Sequence, residues 1–100
     1  MTASIPPTTE VERQKSAAVA RALSDPKRLC VLETLAGGER SVSDLSREVR
    51  CQVPNMSQHL LVLRSAGLVS ARREGTTVYY RLADPRVIEA YRLLQDISRE

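Results

Sequence analysis

One hundred residues at 42% apolar content make one domain, and with only three aromatic residues, all tyrosine, its core must be aliphatic. No apolar run approaches the ~20 residues of a membrane span and no secretion signal opens the chain, so the expectation is a cytoplasmic protein with reduced thiols. The net charge of +3 is unevenly placed: from Arg50 to Arg81 five arginines meet one glutamate, a local +4 that leaves −1 for the rest. Such a segment is either a surface for a polyanion or a set of ordinary solvated arginines.

Residues 1–8 (MTASIPPT) contain two prolines among small polar residues and are expected to be a flexible arm before a single domain at 9–100. Thr9 to Leu23 has helical periodicity, with Val11, Ala18, Val19 and Ala22 on one side, a small-residue face suited to packing on another helix. Asp25 is placed to cap a second helix, with Pro26 at its first position. That helix carries Leu29, Val31, Leu32 and Leu35, and Gly37-Gly38 ends it. Lys27 and Arg28 lie in its first turn, where the helix dipole disfavours cations. They serve solubility, or they mark nearby phosphate.

Ser41-Val42 is expected to be short and extended, and Ser43 to cap a third helix from Asp44 to about Arg50 that buries Leu45 and Val49. Cys51-Gln52 then turns into a fourth helix, Val53 to Gly67. Val53, Met56, Leu60 and Leu63 fall in one apolar stripe at 100° per residue, Asn55, Gln58 and His59 point the other way, and Ser57 sits at the edge. A surface helix normally carries Glu and Lys on its outer face. This one has no acidic residue; amides, a hydroxyl and an imidazole offer donors and acceptors suited to base edges. For His59 a structural hydrogen-bond bridge is the competing reading.

Leu68 to Arg73 and Thr77 to Leu82 alternate as half-buried strands around Glu74-Gly75-Thr76, giving a hairpin rimmed by Arg72 and Arg73. Asp84-Pro85 starts a last helix, running to about Ser98, with Val87, Ala90, Tyr91, Leu94 and Ile97 on one broad face. The order α-α-α-α-β-β-α is mostly helical with a small β-hairpin: a helix-turn-helix followed by a basic wing.

From Leu23 onward the chain resembles the ArsR/SmtB family of bacterial winged-helix repressors, through LSDPKRLCVLETL, SVSDLS, NMSQHLLVLRSAGLV and RREGTTVYYRLADP. The resemblance implies a homodimer joined through the first and last helices, with Val11, Ala18, Val87, Tyr91 and Leu94 at the interface. It implies double-stranded DNA as partner, an inverted-repeat operator read by the fourth helix, and release by an inducer that the sequence does not identify. Asn55 and Gln58 would pair with adenine, Ser57 and His59 would read or clamp nearby, and Arg72, Arg73 and Thr76 would serve the wing. Lys27, Arg28 and Ser43 would hold the phosphate backbone.

The family's helix-five metal site is not expected here. Its Asp-x-His and His-x-x-Glu positions correspond to Asp84, Arg86, Ile97 and Glu100, so both histidines are replaced. No cofactor is expected either. Cys30 matches the helix-two cysteine of the family's redox-responsive members, which pair it with a helix-five cysteine that this chain lacks. Cys51 is the other thiol; the pair is a thiol sensor or a pair of small buried apolar side chains. A winged-helix module for protein–protein contact is the alternative function. An enzyme is not expected, because His59 has no nucleophile or acid arrangement around it.

Overall fold

Helix starts follow from local capping chemistry. In the computed structural model, which describes residues 5–100, helix α1 spans Glu10–Ala22. The Thr9 hydroxyl accepts from the Glu12 amide at 3.1 Å and the Glu12 carboxylate accepts from the Thr9 amide at 2.9 Å, a capping box. Of the expected arm, residues 1–4 lie outside the described residues, and Ile5 to Thr8 have no regular secondary structure. Helix α2 (Pro26–Ala36) is capped as expected: Asp25 Oδ1 accepts from the amides of Lys27 at 2.8 Å and Arg28 at 3.2 Å.

The third helix departs from expectation. Strand β1 (Arg40–Ser41) leads directly into α3 (Val42–Val49), and the cap is Ser41, whose Oγ accepts from the Asp44 amide at 3.1 Å. Ser43 therefore lies inside the first turn and is exposed. The candidate cap moved because pairing with a later strand holds Ser41 extended, which puts its hydroxyl three residues before Asp44.

Helix α4 (Val53–Ser65) ends in a Schellman arrangement. Gly67, at φ 77°, donates to Arg64 O at 2.9 Å, and the Leu68 amide reaches back to Leu63 O at 3.0 Å. Strands β2 (Val69–Glu74) and β3 (Thr77–Leu82) pair antiparallel, from Val69 opposite Leu82 to Glu74 opposite Thr77. Gly75, at φ 63°, takes the first position of the two-residue loop, where mirror-image hairpin turns require a positive φ. The sheet order is β1-β3-β2, so the hairpin gains a short third strand. The short extended stretch expected at Ser41-Val42 is this strand, placed one residue earlier at Arg40–Ser41.

Helix α5 (Arg86–Ser98) completes the chain. The core is aliphatic: Val31, Leu32 and Leu35 from α2, Leu45 and Val49 from α3, Met56, Leu60 and Leu63 from α4, with Leu68 and Val69. Val53 is not part of the stripe it was expected to join; at the first position of α4 it is 49% exposed. Val87 is corrected in the opposite sense. It is 4% exposed, part of the same core, and so is not free to meet a partner. The apolar surface of α5 is carried by Leu93, Leu94 and Ile97, and that of α1 by Val11, all exposed. Ala18 and Tyr91 are half-buried, and the Tyr91 hydroxyl donates to the Glu33 carboxylate across the α2–α5 seam. No helix among the described residues is long and apolar enough to cross a membrane.

Candidate nucleic-acid interface

Burial of Met56, Leu60 and Leu63 fixes the rotation of α4 about its axis, and that rotation leaves Asn55, Ser57 and Gln58 exposed on the outer side. Among the described residues, no intramolecular side-chain hydrogen bond engages Asn55 or Gln58. Their amides are therefore available, both as donors and as acceptors, to a partner. This is the arrangement the sequence implied.

His59 is different. It is half-buried, and its Nδ1 lies 3.3 Å from Arg28 Nη1. A guanidinium only donates, so Nδ1 is the acceptor and the ring proton of the neutral imidazole sits on Nε2. The bridging reading of His59 is the one the geometry supports.

Lys27 and Arg28, expected on phosphate by resemblance, have partners within the fold. Lys27 Nζ donates to Val49 O at 2.9 Å and to Arg50 O at 3.1 Å, at the C-terminus of α3. Arg28 donates through Nε to Ala22 O and through Nη2 to Arg21 O, each at 2.9 Å, at the C-terminus of α1. Both cations sit at the unfavourable end of their own helix and at the favourable end of a neighbour's. Lys27 also stabilises the helix-turn-helix corner, where Arg50 is left-handed at φ 58°. Glycine is the usual residue there, because an L side chain crowds the following carbonyl. A basic pair set against its own helix dipole is the sequence signal for these contacts, and it fits solubility or nearby phosphate as well.

On the wing, the two arginines part company. Arg72 forms a fork with Glu39, Nη2 to Oε1 at 2.6 Å and Nε to Oε2 at 3.0 Å. It also donates to Glu74 at 2.7 Å and lies 4.6 Å from the centre of the Tyr79 ring. The hydrogen bond from Arg72 holds the Glu39 carboxyl below the usual carboxylate range. Two carboxylates thus answer the charge of Arg72, which the sequence placed on phosphate or in the minor groove without these partners. Glu39 was missed because it lies 33 residues away in sequence. Arg73 and Thr76 remain exposed at the tip, and Arg81 is exposed behind them.

This network makes a checkable claim. Replacing Glu39 with glutamine should free Arg72 to bind phosphate. Affinity for random duplex should rise, and the log–log salt slope should steepen by up to about one phosphate equivalent. An unchanged slope in a salt titration would show that Arg72 stays occupied by Glu74 and Tyr79 alone.

Cys30 and Cys51 are both free and half-buried. The Cys51 thiol lies 3.6 Å from Gln52 O and borders a recess of about 440 Å³ with Lys27, Arg50 and His59, a recess that Cys30 does not line. At the start of α5, Arg86 holds Asp84: Nη2 to Oδ2 at 2.6 Å and Nε to Oδ1 at 3.0 Å. These bonds bring the Asp84 carboxyl down to about 2. Among the described residues, no three His, Cys, Asp or Glu side chains cluster as metal ligands.

Residues 25–71, from the α2 cap to the middle of β2, match the model of the bacterial regulatory protein arsR family. An HTH-type transcriptional regulator of Mycobacterium tuberculosis, Rv0324, is 40% identical over 84 residues, which are 84% of this chain and 37% of that longer protein. An uncharacterized HTH-type transcriptional regulator of Methanocaldococcus jannaschii is 38% identical over 85 residues, 84% of this chain and 96% of that one. Among solved structures, the homodimeric winged helix-turn-helix DNA-binding domain Mb0332 of Mycobacterium bovis superposes with a TM-score of 0.80 at 34% identity, covering 96% of this chain and 92% of that chain. The helix-turn-helix and half of the first wing strand thus lie inside the matched segment, and a relative of nearly the same length aligns over 84% of the chain. The chain belongs to the arsR family of bacterial regulatory proteins.

Proposed function

We propose that two copies of this chain form a repressor that binds an inverted-repeat operator on double-stranded DNA in the cytoplasm. One observation carries the reading: α4 buries Met56, Leu60 and Leu63 while Asn55, Ser57 and Gln58 stand exposed on a face without acidic residues. That helix enters the major groove, where amides pair bidentately with adenine. Arg73 and Thr76 at the wing tip meet the adjacent backbone or minor groove. Dimerisation covers the apolar residues that α1 and α5 leave exposed, Val11, Leu93, Leu94 and Ile97, which a lone protomer would present to water. Release from the operator follows binding of an inducer or modification of a thiol, with Cys51 the thiol nearer to α4.

The test is a salt titration of the wild-type protein on an operator selected from random duplexes and on random duplex itself. A repressor shows a steep log–log slope on both and a specificity ratio of ~10³ or more. A ratio near one on every duplex tried assigns the basic face to an acidic protein partner instead.

A further inference from the structure

Helix α1 is loosely seated. Ala22 is its only fully buried residue, and a groove of about 510 Å³, bordered by Ala18, Arg21, Leu61 and Val62, separates it from α4. Ala22, Val19 and Leu23 pack on the core, and the groove leaves the outer side of the seam between the helix assigned to dimerisation and the helix assigned to reading unfilled. A single guanidinium spans it. Arg28 uses Nε and Nη2 on the last carbonyls of α1 and Nη1 on His59 of α4, while Asp25 fixes its own backbone amide. A planar fork with donors in fixed directions transmits angle as well as charge, which a lysine ammonium does not.

We infer that Arg28 is a positioning residue that sets the angle between α1 and α4, and through it the separation of the two α4 helices in the dimer. The inference rests on the DNA-reading function proposed above and deepens it. Arg28 does not touch DNA; it acts through the helix it holds. The consequence is a preference for one half-site spacing. Moving a half-site by one base pair displaces it by ~3.4 Å along the duplex, so a rigid dimer is penalised for the move and a loosened one much less.

The experiment uses the full chain. An operator is first selected with the wild type, and variants of it are made with the half-sites one base pair closer and one farther apart. Arg28→Lys keeps the charge and loses the fork. On the original spacing it is expected to bind about tenfold more weakly than the wild type, with the penalty for altered spacing largely gone. Affinity for random duplex and the salt slope stay unchanged. A uniform loss on all duplexes with the slope reduced by about one makes Arg28 a phosphate contact and overturns the inference. So does a variant with the wild-type spacing preference. If Arg28→Lys fails to fold by circular dichroism, His59→Leu, which removes only the α4 acceptor, is judged by the same criteria.

A second readout is independent of DNA. His59 is the only histidine in the chain, so its ring nitrogens give an unambiguous spectrum. In the free protein at neutral imidazole, the proton is expected on Nε2; a proton on Nδ1 contradicts the Arg28 bridge. A wild type that selects no operator overturns the proposed function and this inference with it. An operator selected equally well by Arg28→Lys, at every spacing, overturns the inference alone.

Discussion

Leu60→Ala is expected to lower the unfolding free energy by about 2–5 kcal/mol. Leu60 is 1% exposed and lies between Met56 and Leu63 on the buried side of α4. Removing its branched end leaves a cavity in a core that has no phenylalanine or tryptophan to shift into it. Against the 5–15 kcal/mol typical of a whole domain, that is a large fraction. Each kcal/mol is worth ~4–8 °C in a domain of this size, so the midpoint should fall by ~10 °C or more. Thermal unfolding by circular dichroism at one fixed protein concentration measures it, since association adds its own stability. Gln58→Ala, two residues earlier on the exposed side, should stay within about 0.5 kcal/mol of the wild type. Equal losses in the two variants would contradict the orientation of α4 on which the candidate interface depends.

The features legible in the sequence are those whose causes lie within a few residues. Asp25 caps its helix because the amides it accepts from are two and three residues away. The stripe of Met56, Leu60 and Leu63, and the hairpin turning at Gly75, follow from periodicity and from one residue's backbone freedom. The expectations that changed involve partners far along the chain. Lys27 meets carbonyls 22 and 23 residues away, Arg28 meets an imidazole 31 away, and Arg72 meets a carboxylate 33 away. In each case the sequence showed a cation without a local partner, read as a phosphate contact or, for Lys27 and Arg28, as a solubilising charge. The fold supplied carbonyls, an imidazole and a carboxylate. Ser43 and Val53 changed for a smaller reason, a shift at a helix start that neighbouring β pairing and the edge of the core decide.

The basic surface therefore contracts. With Lys27 and Arg28 engaged at helix ends and Arg72 paired with two carboxylates, Arg73 beside Thr76 and Arg81 behind them are the wing cations that carboxylates do not answer. In the proposed reading, discrimination falls to the amides of α4. Asn55 and Gln58 are three residues apart on that helix, neighbours on its outer side. Each bidentate amide–adenine pair is worth ~1–3 kcal/mol of discrimination. If the two side chains read adjacent positions as proposed, their contributions need not add, and the double variant is the decisive one.

That variant, Asn55→Ala with Gln58→Ala, should unfold at the wild-type temperature and bind random duplex as the wild type does. Its preference for the selected operator over random duplex, measured at one salt concentration, should fall ~30-fold or more. A preference that survives both substitutions would show that the outer face of α4 does not read DNA.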